Sequence, residues 1–205
     1  MSDLTNLIGQ ALHGDTLSQL SSRIGASEQQ TQTAAMAALP VILGAMKRNA
    51  STPEGAQSLS NALENDHDGS ILDQLGGFLS GHLQNERAAN GDGILGHILG
   101  GQRETVQQGV SRASGLDLNQ VAKLLPLLAP IVMAALGKKR REQAPQEGGG
   151  LADLLAGATS SAREQAPSGA LDILTGFLDS DGDGDVKDDL LKQAGSSLLG
   201  KLFRR

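Results

Sequence analysis

Ala37-Ala-Leu-Pro-Val-Ile-Leu-Gly-Ala-Met-Lys-Arg48 is answered ninety positions later by Leu127-Leu-Ala-Pro-Ile-Val-Met-Ala-Ala-Leu-Gly-Lys-Lys139. Pro40 falls on Pro130, and the apolar run on either side of each proline is followed by cations. Both runs are rich in Ala and Leu, the strongest helix formers, and end where positive charge complements a helix C-terminus. A match of this kind predicts two similar helical halves, as an old duplication would leave.

The correspondence extends outward. Leu7-Ile-Gly-Gln-Ala-Leu-His-Gly14 resembles Ile94-Leu-Gly-His-Ile-Leu-Gly-Gly101, and Ser22-Arg23 matches Ser111-Arg112, so the offset drifts only from 87 to 90. Helix starts are marked in both halves. Ser27 with Gln30 three residues on, and Asp117 with Gln120, each have the form of a capping box. Thr52-Pro53 suits an N-cap followed by proline at the first helical position, and Asp68-Gly69-Ser70 opens the run Ile71–Leu79. The expected fold class is all-α: a compact multi-helix domain with two similar halves, plus a C-terminal helix–loop–helix.

Composition agrees. There is no Trp or Tyr, and Phe78, Phe177 and Phe203 are the only aromatic residues. Strands favour aromatic and β-branched side chains, so the core must be assembled from Leu, Ala, Ile, Val and Met. The absence of Cys removes disulfides, thiolate zinc sites and a cysteine nucleophile. The segment MSDLTNLIGQ has neither a basic region nor a long apolar stretch, so no classical signal peptide is visible and the cytoplasm is the default expectation. The longest apolar run, Leu124 to Gly137, contains two prolines and falls short of the ~20 residues that a bilayer requires.

Texture changes near Arg140. Arg-Glu-Gln-Ala-Pro occurs at 141–145 and again at 163–167, followed by LADLLAG (151–157) and ALDILTG (170–176). The expected organisation is a helical domain at 1–139, a flexible linker with one short amphipathic segment at 140–167, and a helix–loop–helix at 168–205.

Charge is concentrated in that last part. The net charge of the whole chain is −6. Between Ser168 and Leu190 lie Asp172, Asp179, Asp181, Asp183, Asp185, Asp188 and Asp189 against the single Lys187. An EF-hand loop needs oxygen ligands at positions 1, 3 and 5, Gly at 6, a backbone carbonyl at 7 and a carboxylate at 12. Counting from Asp179 gives Asp181 at 3, Asp183 at 5, Gly184 at 6, Asp185 at 7 and the apolar Val186 at 8. Position 12 is Leu190, which cannot ligate, so Asp188 or Asp189 must close a shortened loop. The expected cofactor is Ca²⁺, with Mg²⁺ as competitor, and the missing Glu predicts modest affinity. The plainer reading of the same residues is a solvated acidic turn between two helices.

A fainter echo runs from Glu64 through Asp66, Asp68 and Gly69 to Ile71, again with Leu75 where a ligand should be. Here a helix–turn–helix junction capped by Asp68 or Ser70 is the expected reading. His13, His67, His82 and His97 show no pairing at metal-ligand spacing, and there is no nucleophile elbow, phosphate loop or dinucleotide fingerprint. No enzyme is expected. Lys138-Lys139-Arg140-Arg141 would need a wider basic face or stacking aromatics to bind nucleic acid, so none is expected as a partner.

The ordered set SSRIGASEQQTQ (21–32), ALPVILGAM (38–46), NASTPEGAQSL (49–59), DHDGSILDQLGGFL (66–79), GILGHILGG (93–101) and LLAPIVMAALGK (127–138) resembles the bacterial YidB-like family, over about two thirds of the chain. The resemblance implies an entirely helical fold and brings no catalytic residues. Function is therefore read as calcium-responsive structure or interaction. Partners are expected to be a second copy of the chain or another protein, because a lone helix–loop–helix leaves apolar residues such as Phe177, Leu191 and Phe203 to be covered. The alternative is a membrane-associated protein that places its apolar helices in lipid.

Overall fold

A computed structural model describes residues 4–82, 88–143 and 150–167, together with 169, 170, 172, 173 and 175. Every regular element among the described residues is helical, as expected. The first half comprises α1 (Leu4–Ala11), α2 (Asp15–Ile24) and α3 (Glu28–Asn49). A bridge of shorter helices follows: α4 (Pro53–Asn65), α5 (Ser70–Asp73) and α6 (Leu75–Ser80). The second half repeats the order of the first, with α7 (Gly91–Leu99), a 3₁₀ turn at Gly100–Gln102, α8 (Arg103–Ser114) and α9 (Leu118–Gln143). Last comes α10 (Leu151–Gln165).

The punctuation read from the sequence is what starts these helices. Gln30 N donates to Ser27 Oγ at 3.2 Å, and the Ser27 hydroxyl donates to Gln30 Oε1 at 2.9 Å. Gln120 N donates to Asp117 Oδ1 at 2.8 Å, and Asp117 N donates to Gln120 Oε1 at 3.0 Å, a complete capping box. At α4, Gly55 N donates to Thr52 Oγ1 at 3.1 Å with Pro53 at the first helical position. Both α2 and α8 end on a glycine with φ of +73°, Gly25 and Gly115, a left-handed cap that any other residue would strain.

The long helices α3 and α9 form the centre. The equivalent triplets Val41-Ile42-Leu43 and Ile131-Val132-Met133 are all buried. Pro40 and Pro130 sit inside their helices. A proline there removes one backbone donor and leaves the carbonyl four residues earlier without its helical partner. For Pro130 that carbonyl is Pro126 O, and Gly91 at the start of α7 lies directly on it, where a Cβ would overlap the oxygen. Glycine is what lets α7 approach α9 so closely.

Two stretches differ from the sequence expectation. The domain boundary expected at 139 falls inside a helix, since α9 continues to Gln143. Within the stretch expected to be linker, the amphipathic segment is a 15-residue helix packed on α3, with Leu155, Ala158 and Ala162 buried. Its small residues look like linker composition, yet they are what lets a helix lie close against the Ala-rich face of α3.

Candidate functional site

The six aspartates expected to hold calcium, Asp179, Asp181, Asp183, Asp185, Asp188 and Asp189, lie outside the described residues. The chain that leads to them is anchored. Ala170 and Ile173 are buried, and Ile173 presses on Gly109 of α8, where a Cβ would come within 2.6 Å of Ile173 Cγ1.

The second acidic echo forms the expected capped junction between α4 and α5. Asp68 Oδ1 accepts from Ser70 N at 3.0 Å, and its Oδ2 lies 3.7 Å from Arg141 Nη1. The Ser70 hydrogen bonds, helped by Arg141, hold the Asp68 carboxyl below its usual range. Glu64 Oε1 pairs with Arg140 Nη2 at 2.6 Å, and Arg140 Nη1 also donates to Ser60 O at 3.0 Å. The basic cluster thus clamps the end of α9 to α4 and its following turn. Among the described residues no group of three His, Asp, Glu or Cys is placed to hold a metal ion.

Directly beside this clamp lies a cleft of about 410 Å³ between α3, α4, α7 and α9, where the bridge crosses the junction of the two halves. Met46, Met133 and Ile98 line its buried depth. Leu59 and Ile94, both half-buried, form its walls, and Asn49, Ser58 and His97 stand at its rim. Asn49 is fixed by donating from Nδ2 to His97 O at 2.9 Å, which ties the end of α3 to α7.

His67 completes the lining and is only 4% exposed. Its Nδ1 is buried with no hydrogen-bond partner among the described residues. The loop that carries it is locked: His67 N donates to Ala62 O at 3.0 Å. Its carbonyl rests on Gly137 of α9, with no room for a Cβ between them. Burial lowers the pKa of the imidazole, opposed by the nearby charges of Asp66 and Asp68, so the neutral ring is favoured. An unpartnered polar atom in such a place costs roughly 1–3 kcal/mol. Spacing in the sequence gives no hint of this neighbourhood, because His67 and His97 are thirty positions apart. Only the packing of α4 with its following turn, and of α7, against α9 brings them to one cleft. A smaller cavity of about 160 Å³ lies between α1, α3 and α10, lined by Thr5 and Met36; Thr5 Oγ1 is likewise buried without a partner among the described residues.

These features define an all-helical protein of two similar halves joined by a bridge of short helices, with a cleft at their junction. The chain belongs to the family of bacterial proteins of unknown function DUF937, which matches residues 6–139. No curated protein and no solved structure matches it.

Proposed function

We propose that this is a non-enzymatic calcium-binding interaction protein, a YidB-like helical domain carrying an EF-hand-like loop. Calcium, with magnesium as the weaker competitor, orders the C-terminal helix–loop–helix and promotes self-association. The observation that carries this reading is the alternation Asp179, Asp181, Asp183, Asp185 around Gly184 and before Val186. Four carboxylates within seven residues repel one another unless a cation or bulk water intervenes, and an oxygen-rich ligand set suits a hard divalent ion. The seating of Ile173 on Gly109 supports the link to the folded domain, because Ile173 stands only six residues before Asp179.

Calorimetry on the full chain should show one calcium ion bound at low affinity, well above submicromolar dissociation constants, and lost in the double variant Asp181→Asn/Asp183→Asn. Light scattering should show a larger mass with calcium than with chelator. The same mass in both, or binding unaffected by the double variant, would overturn the proposal.

A membrane reading has one observation in its favour. The Leu118–Glu142 part of α9 is long and apolar enough to cross a bilayer. The share of its most apolar window that is buried inside the fold is 72%, as befits a core helix. Liposome co-sedimentation of the folded chain separates the two readings: a core role predicts that the protein stays in the supernatant.

A further inference from the structure

We propose that two copies of the chain exchange α10, each copy seating the other's helix in the groove between its own α1 and α3. The inference rests on the self-association proposed above and supplies the contact that holds two copies together. A break in the internal repeat points to it. In the second half α7 packs along α9. Its counterpart α1 rests on α9 and α10, and α3 is covered instead by α10. The family match ends at residue 139, so the family domain offers this face and a helix from outside that domain closes it. The buried residues Leu155, Ala158 and Thr159 repeat the spacing of Leu95, Ile98 and Leu99 in α7. Thus α10 stands in for a helix that the first half lacks.

Burial is what holds α10 in that groove. Each of α2, α3, α4, α7, α8 and α9 has a side-chain N-cap or a left-handed glycine after its last turn, and α10 has neither. Among the described residues its one side-chain hydrogen bond, from Thr159 Oγ1 to Leu155 O at 2.6 Å, stays within the helix, and no ion pair reaches it. The cavity of about 160 Å³ lies along this same seam, lined by Thr5 of α1, Met36 of α3 and Ala162 of α10, so the contact is looser than an ordinary interior. An apolar contact of this kind is the same whether the helix comes from its own chain or from another. The seven residues 144–150 between α9 and α10 can span about 25 Å, enough to reach a neighbour lying alongside. A second copy is favoured over a foreign helix for a further reason. A foreign helix in the groove would leave Leu155, Ala158 and Ala162 in water, whereas reciprocal exchange covers both helices and both grooves and closes as a twofold dimer.

The chain has no Cys, so introduced thiols are clean reporters. Gln32 of α3, half-buried, and Gln165 at the exposed end of α10 line the same cavity. The full-length double variant Gln32→Cys/Gln165→Cys is incubated with calcium or with chelator, separated by size exclusion with light scattering, and treated with a short bismaleimide. In the fraction of twice the chain mass, exchange places the two thiols of each seam on different chains, so a covalent dimer is expected on a denaturing gel. In the monomer fraction the same reagent should close a loop within one chain. Gln32→Cys/Ser160→Cys, whose second thiol lies on the exposed face of α10, should give severalfold less covalent dimer from the same fraction. A dimer fraction linked only within its chains would overturn the exchange and leave self-association standing, and equal yields from the two double variants would do the same. A chain that keeps the monomer mass in calcium and in chelator would overturn both. Covalent dimer formed equally well in chelator supports the exchange and removes calcium as its trigger.

Discussion

Gln30 and Gln120 perform the same task for opposite halves of the molecule. Gln30 Nε2 donates to Gly115 O at 3.2 Å, and Gln120 Nε2 donates to Gly25 O at 2.6 Å. Each is the third residue of its long helix, where its oxygen accepts from the capping residue (the Ser27 hydroxyl or Asp117 N), while its amide reaches across to the glycine that ends the other half's preceding helix. One side chain therefore starts its own helix and finishes a distant one.

Glutamate separates these two duties. Gln120→Glu keeps a carbonyl-type acceptor for the capping box but removes the amide donor to Gly25 O. A loss of about 1 kcal/mol is expected from that single hydrogen bond. Gln120→Ala should lose more, because the cap goes as well. Urea unfolding of the two variants measures the difference; equal losses would mean that the cross-half bond contributes nothing.

Gly137→Ala and Gly157→Ala should move stability in opposite directions. A Cβ at 137 would collide with His67 O and crowd Leu63 O, and both are backbone atoms that cannot rotate away. A loss of about 2 kcal/mol or more is expected, as for overpacking of a tight site. At 157, in the middle of α10, nothing lies within 4 Å, so alanine should add about 0.5–1 kcal/mol through helix propensity and a less free unfolded chain. Thermal melts of both variants test this contrast.

Acid should weaken the fold through His67. Its pKa is lowered in the folded chain, so the unfolded chain binds the proton more readily. Stability is then unaffected above the ordinary histidine value of 6.5 and falls as the pH drops below it towards the lowered folded value. In His67→Phe that part of the pH dependence should vanish, leaving the carboxylate losses, Asp68 among them, at lower pH. Chemical denaturation across pH 5 to 7.5 is the measurement; an unchanged slope in the variant would show that His67 does not titrate differently on unfolding.

Leu155→Ala reports on whether α10 belongs to the core. Leu155 is completely buried, so its truncation should cost about 2–5 kcal/mol. Its half-buried neighbour Leu154 should cost distinctly less on the same change. Similar small losses at both positions would mean that α10 is only loosely attached.

What could be read in the sequence was local. Ser27, Thr52 and Asp117 announce helix starts because a cap and its partner are only a few residues apart, and the agreement of Pro40 with Pro130 needs no knowledge of packing. Features that depend on distant chain segments stayed hidden. Gly91 and Gly137 look like any helix-weakening glycines until Pro126 O and His67 O are found against them. Nor does α10 advertise its docking, because Ala158 and Ala162 carry little hydrophobic signal of their own. The cleft shares this character, since its residues come from four helices and the turn after α4, and His67 and His97 stand thirty positions apart. The acidic stretch Asp179–Asp189 is the converse case, a pattern legible from spacing alone that lies outside the described residues.

The exchange between Gln30 and Gln120 also sets a schedule for biosynthesis. Gly25 leaves the ribosome 95 residues before the side chain that caps it. At about 5–20 residues per second, the first half must wait roughly 5–20 s for that partner. Until then α2 ends in an open carbonyl, and the apolar surface of α3 has neither α8 nor α10 to cover it. The emerging chain is therefore most exposed to aggregation and to proteolysis before its second half appears, and a nascent-chain chaperone would find its natural grip there.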